Sequence, residues 1–230
     1  MADQAAQGNR GDVTERPAGR LQQAVARRAA EARATVPHVD LEAEADVEAA
    51  LAATGETVGL VHVAVKAFAT ALAEHPVANG SWRGDGVERF GRVNVALAVL
   101  LDDAVVLPVL HDADRAPLAA LAARAGELEA EARAGTILAP ALAGATASLW
   151  DLGAHGVERS APIVAPGQLC ALGLGAPRER PVVRDGGVVV RRTAWLSLAC
   201  DHRALFGVGA AALLDRVRAL LEDPAALLQA

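Results

Sequence analysis

The chain is short of basic charge. Its 230 residues carry a formal net charge of -6 and a pI of about 5.5, and of its 22 basic residues only Lys66 is a lysine. Nucleic-acid binders concentrate cations on one face, so a nucleic-acid partner is not expected. Cysteine is also scarce, with Cys170 and Cys200 alone. No Cys-x-x-Cys or His-Glu-x-x-His spacing occurs, and no metal site is expected. Both cysteines lie in apolar runs. Cys200 is open to reading as a nucleophile beside His202, but the surroundings favour two buried structural thiols in a reducing compartment. No apolar run reaches membrane length. The opening "MADQAAQGNRGDVTERPAG" has no apolar segment, so neither a signal peptide nor an anchor is expected. These absences predict a soluble, cytoplasmic protein without a membrane partner. No repeat, linker or low-complexity block divides the rest. Residues 1–18 are expected to be a flexible tail and 19–230 one domain.

What is present is apolar and periodic. Hydrophobic residues make up 53% of the chain, enough for a sizeable core. "RLQQAVARRAAEARA" predicts a helix over 20–34, interrupted by Pro37. In "HVDLEAEADV", Val39, Leu41, Ala43 and Ala45 alternate with Asp40, Glu42, Glu44 and Asp46. That is a half-buried strand whose carboxylates form a solvated face. Residues 58–75 set Val61, Val65, Phe68 and Leu72 on one helical stripe. "NGSWRGDG" is turn chemistry. Residues 92–101 and 104–110 read as a hairpin, and a helix from about 117 to 134 stops at Gly135. Strands are expected near 145–153 and 167–175, then a hairpin turning at Asp185-Gly186-Gly187. The last helix buries Leu213, Leu214, Val217, Leu220 and Leu221 and stops before Pro224. The pattern is one α/β domain, a mixed, mostly antiparallel sheet with helices on one face.

The stretch with chemistry in it is "CDHRALFG" (200–207), at the end of the apolar run "WLSLA". It resembles the D-H-R-x-x-D-G signature of the catalytic domain of 2-oxo-acid dehydrogenase acyltransferases. "ATVPHV", "NGSW", "VVLPVLHDADRAPLAALA", "ATASLWDLGAHGV", "APIVAPGQLCALGLGAPRERPVVRDG" and "LLEDPAALL" resemble other segments of that family in order, over about 20–228. The resemblance implies a two-layer, chloramphenicol acetyltransferase-like sandwich. It also implies acyl transfer between a coenzyme A thioester and a thiol or hydroxyl, in a site between the subunits of a trimer. The histidine that maps to His202 would be the general base, since an imidazole titrates near working pH. His38 maps either to the acceptor side of the channel or to a packing feature. His62, His75, His111 and His155 have no motif support. Asp201 and Arg203 are expected to hold the turn.

Three family positions differ. The aspartate of the signature is Phe206, the arginine that pairs with it falls at or near Gln22, and the oxyanion-stabilising serine aligns with Trp150. Replacing both partners of a buried ion pair is near neutral, whereas losing one strands a charge. Gln22 and Phe206 therefore read as a coupled replacement, expected to lie near one another. Strand alternation puts Thr146, Ser148 and Trp150 on one face, so Ser148 is a candidate hydroxyl donor. Trp150 either donates its indole N–H, shapes a pocket for an apolar acceptor, or fills the old site together with Phe206. The resulting expectation is a stand-alone, homotrimeric O-acyltransferase using acyl-CoA (acetyl-CoA) as cosubstrate, with no tightly bound cofactor. Its acceptor would be a small-molecule hydroxyl of the tetronate natural-product type. The alternatives are a non-catalytic structural trimer, or a core acyltransferase working in trans on lipoyl domains of another chain.

Overall fold

The computed structural model describes residues 14–102 and 104–228; most of the expected tail lies outside them. The chain opens with helix α1 (Arg20–Thr35), whose only buried residue is Ala32. Val36 precedes Pro37 and is extended, as the proline ring requires of its neighbour. Strand β1 (His38–Asp46) follows, then the short helix α2 (Glu48–Ala52) and helix α3 (Leu60–Glu74). A small hairpin joins β2 (Gly80–Arg83) to β3 (Gly86–Arg89). The sequence there reads as a turn. A Cβ at Gly80 would stand 2.3 Å from the Glu88 carbonyl oxygen, so only glycine allows the strands to close.

The stretch expected to form one hairpin forms two pieces. Strand β4 (Val95–Leu97) pairs with β7 (Val109–Leu110), and β5 (Val99–Leu100) pairs with β6 (Val105–Val106). The break falls at Ala98, whose N–H donates to Leu149 O of the neighbouring strand, just after Leu97, whose N–H donates to Pro108 O; Pro108 has no N–H to return. Helix α4 (Leu118–Ala134) ends on Gly135 at φ 70°. Strands β8 (Ala147–Asp151), β9 (Cys170–Leu174), β10 (Arg178–Arg184) and β11 (Gly187–Asp201) complete the sheets, and helices α5 (Gly207–Glu222) and α6 (Ala225–Leu228) end the chain. The β10–β11 turn uses Asp185 at φ 51° and Gly186 at φ 78°, the left-handed pair a two-residue hairpin needs.

The main sheet runs β1-β11-β9-β8-β4-β7, with β10 on the outer part of β11. β9–β8 and β8–β4 are parallel and the other pairs antiparallel. Leu41, Leu198, Leu172 and Leu149 fall in one register row across the four central strands. All pack into the core against α3, α4 and α5, with Leu41 partly buried. The two-layer α/β arrangement matches the expectation. Helix α3 departs from the amphipathic stripe: Val63, Ala64, Lys66, Ala67, Ala69 and Ala71 are buried as completely as Val65, Phe68 and Leu72. Between Val63 and Ala69 it lies between the sheet and neighbouring helices with no side left for water, whereas Thr70 is half-buried and Ala73 and Glu74 are exposed.

The carboxylate face of β1 is not simply solvated. Glu42 pairs with Arg159 at 3.3 Å, Glu44 with Arg180 at 3.2 Å, and Asp46 with both Arg184 and Arg191 at 3.1 Å. Thr193 Oγ1 donates to Glu44 at 2.5 Å. Burial deepens along the strand until Asp46 is only 8% exposed. The arginines come from the β10–β11 ribbon and from the loop before β9, elements that sequence alternation within β1 cannot reveal.

Candidate active site

His202 sits on the turn between β11 and α5. Its backbone N–H donates to Pro37 O at 2.9 Å, tying the turn to the entry of β1. Asp201, 1% exposed, accepts from the Arg203 guanidinium at 2.6–3.2 Å and from the Arg203 N–H at 3.0 Å. Pairing with Asp201 raises the Arg203 pKa further. The same guanidinium stands 5.5 Å from the Trp82 ring centre. Asp201 and Arg203 therefore lock the turn, as expected, and the His202 side chain is left exposed. Its ring meets Phe206 edge-on at 5.9 Å. Among the described residues no hydrogen bond reaches either ring nitrogen.

Phe206 is the N-cap of α5, in extended backbone, and is 64% exposed. Gln22 is exposed as well. Within one chain both positions are exposed and form no buried pair.

The opposite face of the sheet carries the other candidates. Trp150 packs with Val36, Val164, Ala171 and Ala199. It also lines a cavity of about 340 Å³ bounded by α1, β6 and the 163–166 segment. His202 is not among the residues that line it. Ser148 shares the Trp150 face, two residues back along β8, and is 1% exposed. Ser148 Oγ and Trp150 Nε1 are both buried without a hydrogen-bond partner among the described residues, an arrangement that costs about 1–3 kcal/mol per group unless something is bound there in use. Thr146, by contrast, is satisfied through the Asn94 backbone. His38 is fully engaged: Nε2 accepts from the Val164 N–H at 2.9 Å, so Nδ1 carries the proton and donates to Val36 O at 2.8 Å. Both nitrogens hold the wall that faces Trp150.

Cys170 and Cys200 are register partners in the core, and burial pushes the Cys200 thiol up to about 12 and Cys170 well above its ordinary value. Neither is a thiolate near neutral pH, so Cys200 is not a nucleophile. Burial lowers the His62 pKa from its ordinary value, and its Nδ1 accepts the Gly59 N–H at the start of α3. His75 and His111 bond backbone carbonyls. Lys66, unremarked in the sequence beyond its rarity, is 1% exposed and donates from Nζ to Asp114 O at 2.7 Å and Ala116 O at 2.8 Å. Burial lowers its pKa, opposed by Asp114.

The sequence profile of the 2-oxoacid dehydrogenases acyltransferase catalytic domain matches residues 10–229. The chain belongs to this family. It is 34% identical, over 95% of its length, to the lipoamide acyltransferase component of the branched-chain alpha-keto acid dehydrogenase complex of Pseudomonas putida, covering 54% of that protein. It is 33% identical, over 76% of its length, to the dihydrolipoyllysine-residue acetyltransferase component of the acetoin cleaving system of Bacillus subtilis, covering 44% of that protein. The chain thus spans about half the length of the curated relatives it matches. Among solved structures it is similar to the dihydrolipoamide acetyltransferase of Azotobacter vinelandii, with a TM-score of 0.89, 30% identity and 96% of each chain covered. Chloramphenicol acetyltransferase, with a TM-score of 0.52 and 13% identity, shares the fold. The Azotobacter structure addresses a serine, a histidine and an asparagine in catalysis. The same spacings, counted from His202 in this acyltransferase domain, reach Trp150 and Phe206.

Proposed function

We propose that this domain transfers an acyl group from acyl-CoA to a small-molecule hydroxyl, with His202 as general base. A ring nitrogen of His202 takes the acceptor's O–H proton as the oxygen attacks the thioester carbonyl. The tetrahedral oxyanion collapses, the carbon–sulfur bond breaks, and His202 returns its proton to the departing thiolate. Ser148 Oγ–H and Trp150 Nε1–H supply the donors for the oxyanion in place of the family serine, a task worth about 100- to 1,000-fold. Their shared lack of partners on one strand supports that reading. The acceptor lies in the cavity beside Trp150, whose indole makes the wall apolar.

The observation that carries the proposal is an exposed imidazole with free nitrogens on a turn locked by the pairing of buried Asp201 with half-buried Arg203, in a chain of this family. Because His202 does not line its own chain's cavity, we place the working site between copies of a homotrimer. Release of free coenzyme A from acetyl-CoA, followed by a thiol reagent against a panel of small alcohols, tests it. His202→Gln should lower that rate about 100- to 10,000-fold without changing stability, because the side chain is exposed. An unchanged rate would make His202 a relic. The names of the relatives favour a second reading, transfer to lipoyl groups carried by another chain; dihydrolipoamide as sole active acceptor would select it. No turnover with any acceptor would leave the structural-trimer reading, which Trp150 and Phe206 favour.

A further inference from the structure

The cavity beside α1 is apolar around nearly its whole wall. Leu21 and Val25 of α1, Val106, Trp150 and Ile163 face it, and the one charged residue lining it is Arg28. Arg28 is exposed and has no carboxylate partner among the described residues. Elsewhere the arginines that border functional elements are paired: Arg203 with Asp201, Arg159 with Glu42, Arg184 and Arg191 with Asp46. At about 340 Å³ the space is at the lower end of ligand pockets. At roughly 30 Å³ per water-sized group it holds on the order of ten non-hydrogen atoms.

We propose that this cavity binds an apolar hydroxy monocarboxylic acid of about eight to ten carbons, its chain against Trp150, its carboxylate on Arg28 and its hydroxyl the group that accepts the acyl unit. The inference deepens the functional reading above, because it takes the cavity as the acceptor's place and names the acceptor's chemical class. A neutral apolar molecule would leave the rim cation unanswered. A polyanion such as the phosphate end of coenzyme A would find one guanidinium and an apolar wall. An apolar acid matches both features.

Octanoate is the probe, with octylamine as its charge-inverted control. The chain has three tryptophans and no tyrosine. Trp82 and Trp195 lie under Arg203 and Arg159 and do not line the cavity, so an emission change on filling it reports Trp150. Octanoate should shift emission and bind by calorimetry, and octylamine should bind more weakly. Arg28→Gln, a change on an exposed helix face, should weaken octanoate about fivefold, the size of a rim ion pair, and remove the preference over octylamine. Trp150→Phe should keep the calorimetric signal and lose the emission change. Equal binding of octanoate and octylamine, no binding of either, or octanoate binding unaffected by Arg28→Gln would overturn the proposal. The coenzyme A release assay is read separately. Arg28-dependent octanoate binding without turnover sinks the transfer reading and leaves this one standing, whereas turnover without octanoate binding does the reverse.

Discussion

Phe206→Asp sets two lines of reasoning against each other. The buried-pair argument from sequence expects a stranded carboxylate and a loss of stability. The geometry expects the opposite. Position 206 is the N-cap of α5, at φ -85° and ψ 163°, with no side-chain cap bond and no acidic residue in the first turn of a 16-residue helix. An aspartate there can accept from the free N–H groups of that turn and lie against the positive end of the helix dipole. Restoring such a cap contributes about 0.5–2 kcal/mol, typically about 1. Against this stands only the edge-on contact with His202 and a ring that is 64% exposed. The net effect is a gain of about 1 kcal/mol, which raises Tm by about 2–4 °C in a chain of this size. The sign with pH follows from the cap: the bonded carboxylate has a pKa below its unfolded value of about 3.9. The gain is therefore complete above about pH 4 and is lost as pH falls through the lowered folded value. Thermal unfolding at pH 7 and pH 3, with sedimentation run alongside, measures it. A lower Tm at pH 7 with unchanged sedimentation would refute the capping argument.

Asp201→Asn should cost about 1–3 kcal/mol by unpairing Arg203, visible in urea unfolding, and should lower coenzyme A release through misplacement of the His202 turn; wild-type values for both would deny the ion pair its role. Hydrogen bonds from Arg192 hold the Glu48 carboxyl at about 2, below an ordinary 4.5. Its contribution to stability is complete above about pH 4.5 and fades as pH falls toward 2, and Glu48→Gln should flatten that part of the acid-unfolding curve. Native protein at pH 7.5 should resist iodoacetamide at both cysteines and take up two adducts after unfolding in urea, by intact mass.

The elements legible in the sequence are those whose signal is local. The alternation of 38–46 gave the strand, Asp185-Gly186 its hairpin turn, and Gly135 the end of α4, because each rests on a backbone preference of a few adjacent residues. What was not legible depends on distant partners. The fate of Glu42, Glu44 and Asp46 is decided by arginines more than a hundred positions away. The two hydrogen bonds of His38 reach one loop near in sequence and another far from it. The exposure of Phe206 was not legible because a motif alignment records position without direction. His202 was legible only through resemblance, since one histidine at a strand end has no periodic or spacing signature.

Lys66 has a practical bearing on how this protein can be handled. With its Nζ sealed beneath two carbonyls of the 114–116 turn, the chain's only side-chain amine is closed to electrophiles while the fold persists. Both thiols are closed as well. Activated esters, lysine-directed cross-linkers and amine coupling to a sensor surface have no side chain to seize. An acyl thioester held nearby likewise meets no lysine that could intercept its acyl group. Unfolding opens that amine, so uptake of one acyl group at Lys66, followed by mass spectrometry, is a direct clock for opening of the α3 core.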